Sequence, residues 1–197
     1  MSAPPDALHD LLRTRRSPIA FSDREVTLAE LTVLLEAARW APSCFNGQPW
    51  RFLVARRADA DEFGRMLSCL NDRNQRWARA ASVLMITATA ETFADGRPNR
   101  HARHDVGLAV AQLTVQANAL GIGVHQMAGF SSDRARELYA IPDGFDPVTA
   151  VAIGYPGDPA TLEDDLRERA QKPRTRRPLS EIAFEGAFGT ALGSEDP

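Results

Sequence analysis

The stretch from Ala102 to Leu120 constrains this chain more than any other. Val106, Gly107, Leu108, Ala109, Val110, Ala111, Leu113, Val115, Ala117, Ala119 and Leu120 cover almost the whole circumference of a helix there. A helix that is apolar on every side has to be covered on every side. With 197 residues the chain suits one domain spanning 1–197, long enough for a substantial core but barely able to surround such a helix. A subunit interface is therefore expected to supply part of the cover, with a central core helix in a monomer as the alternative.

Helices and strands alternate around that element. Leu8, Leu11 and Leu12 predict a first helix over Asp6–Arg13. Thr27 and Glu30 make a capping-box signature ahead of a helix whose Leu28, Leu31, Leu34, Leu35 and Ala38 form one apolar face. "WRFLVAR" at 50–56 reads as a strand, and "DADEFGRMLSCL" and "NQRWARAA" as helical pieces. "SVLMITATA" at 82–90 has the near-continuous apolarity of a strand buried on both faces. Gly121 ends the long helix, "GIGVHQMAGF" continues into a short strand, 131–139 into a small helix, and "PVTAVAIGYP" into a last strand. From Pro156 the chain turns charged and peripheral, and "FEGAFGTALGSEDP" reads as loosely tethered. Strands separated by helices predict an α+β or α/β sandwich with a modest sheet.

Charge and cysteine content narrow the function. A net charge of −3 gives no global attraction to nucleic acid or to anionic membranes. The N-terminus lacks the apolar segment of a signal peptide, and no apolar run approaches the ~20 residues of a membrane helix. Two cysteines, Cys44 and Cys69, make neither a disulfide framework nor a zinc quartet, so a reducing, cytoplasmic setting is expected.

Two segments carry candidate chemistry. The tetrapeptide "RTRR" occurs at 13–16, followed by Ser17, and again at 174–177. Arginine presents a planar fork suited to phosphate oxygens, so the two copies are either halves of one anion site or two solvated basic turns. "WAPSCFNGQPWRF" at 40–52 cannot be one helix, because Pro42, Gly47 and Pro49 interrupt it. It is a loop that either turns a corner or holds something flat and polar. Other motifs are weak. "GIG" at 121–123 lacks the spacing of a dinucleotide fingerprint. His101, His104 and Asp105 lack a further ligand cluster, so no metal is expected. No nucleophile elbow occurs, and Cys44 serves better as a small filler than as a nucleophile. An enzyme with this inventory needs a cofactor to carry the chemistry.

"RTRRSPIAF" followed by "LLEAARWAPSCFNGQPWRFLV" resembles the opening of the nitroreductase family of FMN-dependent oxidoreductases. The resemblance continues through "NQRWARAASVLMI", "HDVGLAVAQLTVQANALGIGVHQMAGF", "VTAVAIGYP" and "RTRRPLSEI", in order over nearly the whole chain. It implies an α+β, three-layer α/β/α sandwich with a mixed, mainly antiparallel sheet. It also implies an intertwined homodimer built on the long helix, with 156–197 as a peripheral arm that contributes phosphate contacts.

By the same resemblance, Arg15, Arg16 and Ser17 would hold the FMN phosphate from one side and Arg174 and Arg176 from the other. Pro42, Ser43, Cys44 and Asn46 would reach the flavin from the partner subunit. Asn74 would pair with the pyrimidine edge. Gln126, Met127, Ala128 and Gly129 would cover one face, with the Ala128 and Gly129 N–H groups near N5. No side chain is expected to act as nucleophile, acid or base. Three positions depart from the family pattern: Ile19 replaces a basic residue, Ala128 a glutamate, and Trp77 a lysine that Arg76 or Arg79 would have to substitute. Trp40, Phe45 and Phe130 are candidates for an acceptor pocket, with a core role as the plainer expectation. The implied activity is ping-pong hydride transfer from NADPH or NADH to a nitroaromatic, quinone or similar small acceptor. The alternatives are an FMN-sequestering module, or a flavin-fragmenting or dehalogenating relative.

Overall fold

The continuous apolar run near the middle of the chain forms the most buried strand. The computed structural model describes residues 7–193. In it Val83–Ala90 (β2) is buried along all but its last residue. Trp50–Arg56 (β1) pairs with one edge of β2 and Phe145–Gly154 (β4) with the other, and Gly123–Met127 (β3) completes a sheet in the order β1-β2-β4-β3. All pairings among the described residues are antiparallel, the mainly antiparallel sheet expected, with no parallel pair among those residues. The reason lies in the connections. The β1–β2 connection returns at the same end of the sheet, where Arg56 pairs with Val83. By contrast, α5 carries the chain from the Ala90 end to the opposite end, where Gly123 pairs with Gly154. β2 and β3 thus run in the same direction but are separated by β4.

Period-two alternation divides the sheet residues between two cores. Val83, Met85, Val124, Val151 and Ile153 face Leu28–Arg39 (α2) and Ala102–Ala119 (α5). Leu84, Ile86, Ala150 and Ala152 face the opposite way. There they meet Ala60–Leu67 (α3), Asp72–Ala78 (α4), Ser132–Tyr139 (α6) and Asp164–Gln171 (α7). The three-layer α/β/α arrangement expected from the resemblance is present. The capping box is formed: Thr27 Oγ1 accepts from Glu30 N at 3.2 Å, and Thr27 N donates to Glu30 Oε2 at 2.8 Å. The expected face of α2 is narrower by one residue, because Leu28 is 60% exposed in the first turn.

The first helix is shorter than expected, Asp10–Thr14 (α1), and Asp6 lies outside the described residues. Asn118 ties this segment to α5, its Nδ2 donating to Leu11 O and to Thr14 Oγ1, both at 2.9 Å. The arm beyond α7 carries exposed Leu179, Ile182, Phe188 and Leu192. Its last residues, 194–197, also lie outside the described residues. No helix among the described residues is long and apolar enough to cross a membrane.

The long helix is covered on one side only. Ala102, Val106, Ala109, Val110, Leu113 and Ala117 are buried, whereas Gly107, Ala111, Ala119 and Leu120 are exposed and Leu108 and Val115 half-buried. Ala111, Val115 and Ala119, together with Leu11 and Ala37, line an open groove of about 360 Å³.

Candidate functional site

Residues 14–20 and 169–176 come together at the C-terminal end of α5. Gly157 N donates to Ala20 O and Ser22 N to Tyr155 O, each at 2.9 Å, which lays segment 14–22 beside the end of β4. Pro18 crosses so close to Gly123 that a Cβ there would lie 2.4 Å from its Cγ, so only glycine opens β3. The C-terminal arm returns to the same place, and the Arg174 guanidinium donates to the carbonyls of Arg13 and Arg15. The result is a cavity of about 570 Å³.

Its charge is one-sided. Arg15, Arg16, Arg169, Lys172, Arg174 and Arg176 line it, and among the described residues no carboxylate does. Burial lowers the pKa of the Arg15 guanidinium, and the neighbouring charges of Arg174 and Arg176 lower it further. Burial followed by Arg73 does the same to Arg169. Arg15 Nη1 donates to Ser17 Oγ at 3.1 Å. Crowded guanidinium groups without a counter-charge are the donor set of an anion site, and a phosphate is the anion their fork geometry fits. The structure therefore brings Arg15, Arg16, Ser17, Arg174 and Arg176 together from the two "RTRR" copies.

Arg169, Lys172, Asn118 and His125 line the same cavity, and the sequence reading does not reach them. In "DDLRERAQ" nothing distinguishes an inward arginine from a solvated one, and His125 is a lone polar residue in a short strand.

The 42–48 loop lies at the other end of α5. Cys44 N donates to Asp105 Oδ2 at 3.1 Å and Gln48 N to Ser43 Oγ at 3.1 Å. Phe45, Asn46 and Gln48 all have positive φ, at 50°, 54° and 45°, a backbone that costs of order 1 kcal/mol or more per non-glycine residue. Phe93 packs edge-on against Phe45 with ring centroids 5.9 Å apart. Trp40 and Phe45 are 73% and 83% exposed, which overturns the core role expected for them; Phe130 is half-buried. An 18-residue helix is roughly 27 Å long at 1.5 Å per residue, so Pro42, Ser43, Cys44 and Asn46 are remote from the cavity within one chain.

Asn74 and the turn after β3 form a third group. Asn74 is 8% exposed; its Nδ2 donates to Gly129 O at 3.1 Å, and Asn71 N donates to the same oxygen at 3.0 Å. A Cβ on Gly129 would lie 2.3 Å from Asn71 Nδ2 and 2.6 Å from Asn74 Nδ2. Met127 is buried, while Gln126 and Ala128 are exposed. The N–H groups of Ala128 and Gly129 have no acceptor among the described residues.

Residues 12–79 and 65–155 match the sequence profile of the nitroreductase family. The chain belongs to the nitroreductase family. A solved structure of an oxidoreductase containing FMN is 38% identical, with 96% of each chain covered and a TM-score of 0.89. A 15.4 kDa protein of Mycolicibacterium smegmatis is 40% identical over 148 residues, 72% of this chain and 99% of its own. An Archaeoglobus fulgidus protein, provisionally named an NADH dehydrogenase/NAD(P)H nitroreductase, is 28% identical over 159 residues, 75% of this chain and 84% of its own.

This nitroreductase departs from the family pattern in ways the structure explains. Ile19 is 3% exposed and belongs to the core beside α3 and α4 while also lining the cavity. Trp77 is 1% exposed; its ring lies 4.5 Å from His125, and the Arg169 guanidinium sits 5.9 Å from its centroid. Its Nε1 is buried without a partner among the described residues. Arg76 is not free to stand in for a lysine, because it is held by Glu163 and by both carboxylate oxygens of Asp165, at 2.8 Å each. Arg79 Nε is engaged by Gln75 O at 3.1 Å.

Proposed function

We propose that this chain is an NAD(P)H-dependent FMN oxidoreductase that works as a homodimer in a reducing, cytoplasmic compartment and reduces a small acceptor such as a nitroaromatic or quinone. The observation that carries the reading is the cavity lined by six basic side chains and, among the described residues, no carboxylate, which fits the phosphate of FMN in charge and donor type. Bound there, FMN would supply the chemistry of hydride transfer between a nicotinamide and the acceptor in alternating half-reactions.

The protein's part is binding, orientation and electrostatics. Arg15, Arg16, Ser17, Arg174 and Arg176 hold the phosphate, and Arg169 and Lys172 add charge to the same cavity. Asn74, oriented by Gly129 and Asn71, offers its remaining amide oxygen to the edge of the ring. Gln126, Met127, Ala128 and Gly129 form the turn against one face, with the two unpaired N–H groups as fixed donors where negative charge develops. Pro42, Ser43, Cys44 and Asn46 close the site from a second subunit, with exposed Trp40 and Phe45 as apolar surface for a flat acceptor. The half-covered face of α5 supports this dimer, since Leu108, Ala111, Val115 and Ala119 together make the contiguous apolar stripe a second copy would cover.

The test is the visible spectrum of the purified protein before and after anaerobic NADPH or NADH. Twin flavin bands that bleach on adding a nucleotide, and return with a quinone or nitroaromatic, are expected. A protein that stays colourless after incubation with FMN would sink the reading, and flavin bands that no nucleotide bleaches would leave a binding module instead.

A further inference from the structure

His125 is the one cavity residue that can change its charge near neutral pH, and its surroundings define how. Its Nδ1 lies 2.9 Å from Pro18 O and 3.1 Å from Ser17 O. Carbonyl oxygens only accept, so Nδ1 carries the hydrogen, and Nε2 is the nitrogen that gains or loses a proton. Every charged group facing the imidazole is positive: Arg15 from the N-terminal segment and Arg169 from α7, with Arg73 of α4 behind Arg169. The element beneath it contributes the uncharged Trp77 ring at 4.5 Å, and its cross-strand neighbour is Ala152. Among the described residues no carboxylate lines the cavity. Burial, aided by those cations, lowers the pKa of the ring below the ordinary histidine value, which keeps it neutral when no anion is present.

Resting on the FMN reading above, we propose that His125 is a proton-coupled binding residue of this cavity: entry of a phosphate monoester dianion makes the imidazole take up one proton from solution at Nε2. The balance is simple. Neutral imidazole plus a solvent proton gives imidazolium, and no other group changes. The arriving dianion cancels the field of Arg15 and Arg169, so the charge that opposed protonation is replaced by one that favours it. The face of Trp77 favours the cation as well. An opposite charge within a few ångströms raises the pKa of a cationic acid by about 1–3, opposite in direction to the lowering that burial and the cations impose on the empty site. Protonated protein then binds the phosphate more tightly than neutral protein. Affinity rises as pH falls from above the bound-state pKa toward the free-state pKa, by up to about tenfold for each pH unit between the two. The second ionisation of the phosphate itself, near pH ~6, acts in the opposite sense and is shared by any variant.

The experiment is calorimetric titration of the full-length apoprotein with FMN near neutral pH, in two buffers of different ionisation enthalpy, which counts the protons exchanged. Riboflavin, which lacks the phosphate, serves as the comparison ligand. His125→Asn keeps an N–H donor for Ser17 and Pro18 but cannot titrate. Net proton uptake with FMN, none with riboflavin, and loss of the uptake in His125→Asn while FMN still binds is the expected result. FMN binding with no uptake, or with uptake unchanged in His125→Asn, overturns the proposal and leaves the FMN reading intact. Should the variant not fold, the imidazole NMR titration of the unmodified protein, with and without FMN, decides. FMN must raise the His125 pKa by about 1 or more, and an unmoved pKa refutes the proposal. If FMN does not bind, inorganic phosphate takes its place in the same NMR titration: a raised His125 pKa keeps the proposal and discards FMN, and an unmoved one discards both.

Discussion

Arg15→Gln should move ligand affinity and apoprotein stability in different directions, because the charge it removes is useful only when the cavity holds an anion. In the protein alone Arg15 is half-buried and faces Arg174 and Arg176, whose charges disfavour its own. Its guanidinium makes one hydrogen bond among the described residues, to Ser17 Oγ, and a glutamine amide can make the same one, while the carbonyl that accepts from Arg174 is untouched. Loss of the charge therefore relieves repulsion, and the apoprotein should melt at the same temperature or up to about 2 °C higher, at roughly 2–4 °C per kcal/mol for a chain of this size. With FMN bound, the substitution removes a charge-assisted hydrogen bond of about 1.5–3 kcal/mol, which corresponds to a roughly ten- to hundredfold rise in Kd. Flavin fluorescence titration and thermal unfolding, each with and without FMN, measure the two effects. Raising the salt concentration should narrow the gap between native and variant affinities, since an open charge cluster is screened. An apoprotein destabilised by several degrees with Kd unchanged would refute the reasoning and make Arg15 a structural prop.

Gly129→Ala places a Cβ 2.3 Å from Asn71 Nδ2 and 2.6 Å from Asn74 Nδ2, so the turn must shift. About 1–3 kcal/mol of overpacking is expected in denaturant unfolding, together with a displaced flavin absorption maximum; an unchanged maximum would separate the turn from the ring. Glu30 accepts from Tyr155 Oη at 2.5 Å and from Thr27 N at 2.8 Å, and these bonds, Tyr155 first, hold its pKa below the ordinary carboxylate value. A pKa lowered in the folded state gives stability that is full above about pH 4.3 and is lost as pH falls through the lowered folded value. Glu30→Gln should remove that acid-side slope from a thermal-stability profile, and an identical slope in the variant would count against the pair.

What could be read in the residues follows from how local their signals are. The capping box, the strand at 50–56 and the buried strand at 82–90 declare themselves within a few positions, and all three are present. The duplicated "RTRR" was legible as a candidate because repetition is visible without knowing the fold. That both copies line one cavity depends on two long-range ties, Asn118 to Leu11 and Thr14, and Arg174 to the carbonyls of Arg13 and Arg15, and nothing local announces those. Arg169 and His125 were invisible for the same reason: each sits in a segment whose pattern is satisfied by a solvated or a structural residue. Trp40 and Phe45 failed in the other direction, since aromatic composition suggests burial and the strained loop holds both outward.

The two ends of α5 pose one geometric problem with one economical answer. The loop with unusual backbone is fixed to the first turn of the helix by Asp105, and the basic cavity is fixed to the last by Asn118. Roughly 27 Å of helix keeps them apart in a single chain. A copy of the chain related by a two-fold axis across the exposed stripe of Ala111, Val115 and Ala119 runs its own α5 in the opposite sense when the axis crosses the helix. The loop of one subunit then lies at the end of the helix pair where the cavity of the other opens. The same operation covers the uncovered apolar face and gives exposed Phe45 and Trp40 a surface to border. Separate explanations for the bare helix face, the outward aromatics and the stranded loop would need three unrelated causes. On the proposed dimer they have one, and flavin affinity and subunit association become linked quantities, each strengthening the other by the same factor.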